Sequence, residues 1–119
     1  MSRPVSSHGL GRAAELRALN YLTDQGLECV ARNFRTRAGE IDLVMRDGAE
    51  LVFVEVRRRA DARFGDGFES VNATKRRRLV AAALRYLQIH APDRPCRFDV
   101  VALDGQDSVR WLRNAFEAG

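Results

Sequence analysis

The sequence predicts a mixed α/β sheet of order α-βββ-α-β, with a short final strand and a helix on each side. Three observations predict it. Residues 10–25 and 73–90 each carry apolar residues at helical spacing. Between them, three short apolar stretches are joined too tightly for parallel crossovers, so they form an antiparallel meander. The second helix then gives a crossover long enough to return the stretch at 96–103 parallel to the third strand.

Residues 1–8 read as a flexible tail, and 9–119 as a single domain, the number expected for 119 residues. Residues 10–25, LGRAAELRALNYLTDQ, are rich in Ala, Leu, Arg and Glu and stop at Gly26. Glu15 falls beside the stripe of Ala18, Leu19 and Leu22, so it borders the core. Its plain reading is a boundary carboxylate paired with an arginine. Residues 27–36 fit a first strand, which Arg37-Ala38-Gly39 turns into a second. Residues 60–71, ADARFGDGFESV, form a Gly-containing loop with Phe64 and Phe68, read as a substrate-contacting flap or a packed surface loop. Helix 73–90 takes its cap from Ser70 or Asn72 and is followed by Pro92. Lys75 shares a stripe with Leu79, Ala82 or Ala83, and Tyr86, while Arg76 and Arg77 splay outward. Residues 96–103 form a strand, 108–112 a short last one, and 113–118 a helical turn.

The stretch from Gly39 to Arg57, GEIDLVMRDGAELVFVEVR, carries the chemistry. Asp47-Gly48 between alternating apolar runs is a hairpin signal. A two-residue turn there pairs Arg46 with Ala49, sets Asp42 opposite Phe53 and Glu40 opposite Glu55. Alternation puts Glu40, Asp42 and Val44 on one face and Ile41, Leu43 and Met45 on the other. Asp42 and Glu55 then share a face as diagonal neighbours roughly 7–8 Å apart. Acids on an otherwise apolar hairpin are costly to bury unless they share a counter-ion. A hard divalent cation such as Mg²⁺ suits carboxylate oxygens.

The formal net charge of +4 is mild. It is concentrated, however. Residues 57–78 hold eight basic side chains, including Arg57, Arg58, Arg59, Lys75, Arg76 and Arg77, against three acidic ones. Such a segment attracts phosphate backbones, and its bland alternative is a solvated helix start. No apolar run approaches the ~20 residues of a membrane span, and the N-terminus lacks a secretory apolar stretch. The expectation is a cytoplasmic protein with no membrane association. Cys29 and Cys96 stand alone in spacing and read as reduced, buried small hydrophobes.

Taken together, GRAAELRALNYL, NFRTRAGEIDLV, LVFVEVRRR, SVNATKRRRL and RFDVV, in that order, resemble the YraN family of predicted endonucleases. That family is a bacterial branch of the PD-(D/E)XK nuclease superfamily, which includes archaeal Holliday junction resolvases. The resemblance runs from Gly11 to about Trp111. It implies a restriction-endonuclease-like fold and metal-dependent hydrolysis of phosphodiesters, with DNA, branched or single-stranded forms included, as the expected partner. By the same resemblance Asp42 and Glu55 hold Mg²⁺ (or Mn²⁺), and Glu15 joins them directly or through water. A homodimer would supply two such sites for cutting both strands. This sequence departs from the pattern at Arg57, where the superfamily usually has Lys. Arginine can grip a phosphate through two hydrogen bonds, but it cannot act as a general base. Two other readings therefore stand beside the nuclease: a catalytically impaired nucleic-acid-binding module, and an interaction protein whose acids merely pair with Arg57, Arg58 or Arg97.

Overall fold

The computed structural model describes residues 7–59, 72–90, 93–104 and 108–117. The loop 60–71 and its two phenylalanines lie outside them. The elements in chain order are α1 (Ser7–Asp24), β1 (Glu28–Arg35), β2 (Glu40–Asp47), β3 (Glu50–Arg59), α2 (Ala73–His90), β4 (Cys96–Asp104) and β5 (Val109–Phe116). The strands form one sheet in the order β1-β2-β3-β4-β5. Pairing is antiparallel except between β3 and β4, which run parallel across the α2 crossover.

Each helix covers one face of this sheet. On one side Ala14, Ala18 and Leu22 of α1 meet Leu43, Met45, Val52, Val54, Val101 and Leu103. On the other, Leu79, Ala82, Ala83 and Tyr86 of α2 meet Ile41, Val44, Leu51, Phe53 and Phe98. Small residues on both helices let the backbones approach the sheet. Phe53 is fully buried, with Tyr86 and Phe98 rings centred 5.9 and 5.7 Å away; burying such a side chain stabilises the fold by about 1.5–3 kcal/mol. β4 is buried along nearly its whole length, as befits a parallel central strand with a helix on each face.

Local chemistry sets the element ends. At the end of α1, Leu27 N–H reaches back to Leu22 C=O at 3.1 Å while Gly26 takes φ +101°, the left-handed C-terminal turn that glycine favours. Asn72 caps α2, its Oδ1 accepting the Lys75 N–H at 3.0 Å. In the β1–β2 turn, Thr36 Oγ1 accepts the N–H groups of Ala38 and Gly39. Gly39 is required there, because a Cβ would lie 2.0 Å from the carbonyl oxygen of Arg78 in α2.

Four expectations need correction. The β2–β3 turn is Gly48-Ala49, not Asp47-Gly48, because Asp47 pairs with Glu50 and only Gly48 takes a positive φ, +62°. The one-residue shift moves the register so that Asp42 comes opposite Glu55 and not diagonal to it. Strict alternation in β2 also fails, since Ile41 packs with Val44 in the α2 layer while Leu43 and Met45 pack in the α1 layer. The expected helical turn after residue 112 is instead the continuation of β5 to Phe116. Here Phe98 pairs with Phe116 but Val100 with Leu112, a bulge in which Asn114 takes φ +52° and donates its N–H to Asp99 Oδ1 at 2.8 Å. Last, Cys29 is a free thiol on edge strand β1, exposed where burial was expected, and Cys96 is partly buried.

Candidate functional site

The hairpin of β2 and β3 comes apart at Asp42. Its ladder runs from Asp47–Glu50 to Leu43–Val54 and stops. Beyond that point β3 stays paired with β4 through Arg59, whereas β2 leans toward β1. Into the opened gap goes the Asp42 carboxylate, whose Oδ2 accepts the N–H of Val56 at 2.8 Å. A side chain thus replaces a strand carbonyl and is held deep in the sheet. Glu55, the residue opposite, lies close enough for the two carboxyls to act on each other's ionisation.

Two carboxyls so close in a partly buried place cannot both ionise freely. Burial, then the charge of Glu55, push the Asp42 pKa up to about 8, against the pull of the Val56 N–H; Glu15 and Glu40 raise it further. Burial also raises Glu55, which Arg57 and Lys75 hold down. Arg57 Nη1 donates to Glu55 Oε1 at 3.4 Å. Lys75 lies in the same small pocket as Glu55, Arg57 and Arg78. Its pKa is lowered by burial and by Arg57, and drawn back by Glu55 and Asp42.

Glu15 projects from α1 toward the opposite side of Asp42, and both line a cleft of about 750 Å³. One oxygen, Glu15 Oε1, is buried without a hydrogen-bond partner among the described residues. The helix and the splayed hairpin therefore bring all three predicted acids to one place. Among the described residues, no group of three or more His, Cys, Asp or Glu side chains is placed to hold a metal ion. The Asp42–Glu55 pair by itself offers carboxylate oxygens, the donor type of a hard cation. Mg²⁺ takes one or two carboxylates and completes its shell with water and substrate oxygens, and an orphaned Glu15 oxygen beside a protonatable pair is an oxygen-rich place short of positive charge.

The predicted basic residues divide. Arg57 and Lys75 flank the acids. Arg76 and Arg77 instead line a groove with Val80 and Leu84 on the outward face of α2, where Arg76 lies 5.5 Å from the Phe116 ring centre. Arg58 is exposed and falls on the strand face opposite Arg57. Arg59 is the last residue of β3, paired with Asp104, and its side chain lies outside the described residues. Arg97 does not neutralise the site acids; it pairs with Asp47, Glu50 and Asp99. Sequence reasoning missed Arg12, Asn33 and Arg35, which line the larger cleft. Asn33 had a signal, being an asparagine inside a strand, where it is disfavoured unless the backbone turns; it takes φ +53°.

No helix among the described residues is long and apolar enough to cross a membrane. Comparison with known sequences gives one family throughout. A protein of Janthinobacterium sp. (strain Marseille) named UPF0102 protein is 51% identical over 117 residues, covering 98% of this chain and 94% of that one. A Pseudomonas putida protein of the same name is 51% identical over 123 residues, covering 98% and 99%. One from Nitrosococcus oceani is 46% identical over 119 residues, covering 96% of each. The profile of the uncharacterised protein family UPF0102 matches residues 14–103, and the chain belongs to that family.

Proposed function

We propose that this protein is a divalent-metal-dependent endonuclease that hydrolyses phosphodiester bonds of nucleic acid, DNA first among them. The observation that carries this reading is the Asp42–Glu55 carboxyl pair. It is partly buried at the split of a hairpin, with the Asp42 pKa pushed up to about 8 and two cations beside it. Such a pair is poor structural material, because its charges oppose each other in a low-dielectric place. It becomes favourable when a cation binds between them.

Asp42 and Glu55 would hold the ion, with Glu15 reaching it directly or through water. Mg²⁺ or Mn²⁺ there would polarise a phosphoryl oxygen and acidify the attacking water. Arg57 binds the scissile phosphate through its planar fork and offsets the charge that develops on it. It cannot accept a proton. Lys75 can release one, and its lowered pKa makes it the cation at the site suited to proton exchange with the leaving oxygen.

Purified protein incubated with Mg²⁺ or Mn²⁺ and a panel of DNA and RNA structures should cleave at least one of them. Asp42→Ala and Glu55→Ala should each lower the rate by at least about a hundredfold. Absence of cleavage by the wild type, or undiminished cleavage by either variant, would defeat the proposal. The second reading, an impaired nuclease that only binds nucleic acid, is favoured by Arg57 at the usual lysine position. It predicts tight, salt-sensitive binding without turnover, and a gain of cleavage in Arg57→Lys.

A further inference from the structure

The acids have openings on both sides of the sheet, and the two differ in size and lining. On the α2 side is a pocket of about 170 Å³ holding Arg57, Lys75 and Arg78. It suits a single phosphate group. On the α1 side the cleft is about 750 Å³, lined by Arg12, Glu15, Asn33, Arg35, Glu40 and Asp42 among others. That volume suits a much larger ligand.

Three side chains on the wall of this cleft have little to do in the fold itself. Arg12 is exposed and has no ion pair or hydrogen bond among the described residues. Among the described residues the Arg35 side chain makes only a solvent-exposed pair with Glu40 at 3.4 Å, an interaction of small net value that a phosphate can replace. Asn33 holds a left-handed backbone in the middle of a strand, which costs an asparagine about 1 kcal/mol. Its amide brings two donors and an acceptor to the cleft.

We propose that Arg12, Asn33 and Arg35 hold the sugar–phosphate chain on the α1 side of the cleavage point, and that this contact forms only when a divalent cation is bound. The cation dependence follows from charge. The cleft sets two arginines against Glu15, Glu40 and an Asp42 that holds its proton to about pH 8, so without a cation it offers a polyanion no net attraction. One divalent ion, displacing that proton, leaves it net positive. The Arg76–Arg77 groove has the opposite character, with two arginines against Glu117 alone; binding there would need no metal. The inference rests on the nuclease reading, and it selects the α1 cleft over the outward face of α2 as the path of the chain.

Fluorescence anisotropy tests it, with a fluorescein-labelled DNA strand, its duplex and a four-way junction, each in Ca²⁺ and in EDTA. The wild type should bind at least one probe about tenfold or more tightly in Ca²⁺ than in EDTA. R12A/R35A should weaken that binding by about tenfold and reduce the salt slope by about 2. Asn33→Gly, which keeps the left-handed backbone and removes the amide, should cost a few-fold. R76A/R77A should bind like wild type. R12E/R35E, with an unchanged circular dichroism melt, should abolish binding and so separates charge from folding. Wild-type affinity in R12A/R35A, equal affinity in EDTA, or binding lost only in R76A/R77A would overturn the inference. If the wild type cleaves DNA and R12A/R35A binds and cleaves equally well, this inference falls and the nuclease reading stands. Cation-dependent binding that R12A/R35A loses, in a protein that cleaves nothing, supports the inference and removes the nuclease reading.

Discussion

At Arg97 a buried guanidinium meets Asp99 at 3.1 and 3.2 Å, Asp47 at 2.9 Å and Glu50 at 3.1 Å. At Asp42, in the same sheet, a partly buried carboxyl meets a second carboxyl. Asp99 also accepts the indole N–H of Trp111 at 2.9 Å and the backbone N–H of Asn114. That cluster ties the hairpin tip to β4 and to the bulge of β5, and its buried charges have counter-charges. Only Arg97 Nη2 is left without a partner there among the described residues. Around Asp42 the acids outnumber what Arg57 and Lys75 compensate, one oxygen of Glu15 has no partner, and the strands have separated to admit a side chain. The first arrangement holds strands together. The second keeps two carboxyls crowded together, with Asp42 holding its proton to about 8, which stabilises little unless something positive arrives.

The sharpest way to break this comparison is to remove one acid from each cluster. Asp99→Ala leaves Arg97 buried with a lost partner and opens the β5 bulge, so it should destabilise the protein by about 3–5 kcal/mol in urea unfolding. Asp42→Asn keeps an oxygen for the Val56 N–H and removes a repelling charge. At pH 8, without metal, it should be as stable as wild type or more so. Equal losses in the two variants would erase the distinction.

A second measurement adds the missing positive charge. At a hundred times its Kd, Mg²⁺ should raise wild-type stability by about 2.7 kcal/mol and the melting temperature with it. Asp42→Asn and Glu55→Gln should show little of that rise.

The third uses pH. The Asp42 carboxyl keeps its proton to about 8 in the fold, against 3.8 for the unfolded chain. Its contribution to metal-free stability is therefore fully present below about 3.8 and is lost as pH rises through about 8, at most about 1.4 kcal/mol per pH unit. Asp42→Asn should remove that part of the slope. Mg²⁺ competes with the proton, so its affinity should climb over the same range.

Much of this was legible in the chain before any coordinates. The two helices follow from apolar spacing, and the antiparallel meander and parallel crossover follow from connection lengths. The pairing of Asp42 with Glu55 followed from face counting on the hairpin even though the turn was misplaced by one residue, and Glu15 joined them only through the family resemblance. An even register shift keeps side chains on the same face, so the error moved a diagonal pair to a direct one without parting it. The extension of β5 was not legible, because RNAF carries no strand signal of its own and depends on Asp99 to close its bulge. Arg12 and Arg35 were equally opaque, being ordinary surface arginines until β1 and α1 bring them beside Asp42. Arg76 and Arg77, read from the sequence as splaying outward from the Lys75 stripe, do line another face of the helix.

By itself the sequence determined what is local and periodic: which stretches are helix or strand, which faces are apolar, and which acids lie near a common edge. Only the tertiary structure decided where the hairpin splits, how far burial and mutual repulsion push the Asp42 proton, and which arginines meet the acids and which do not. Those properties depend on distance and on exclusion of water between residues far apart in the chain, and no single stretch of it encodes either.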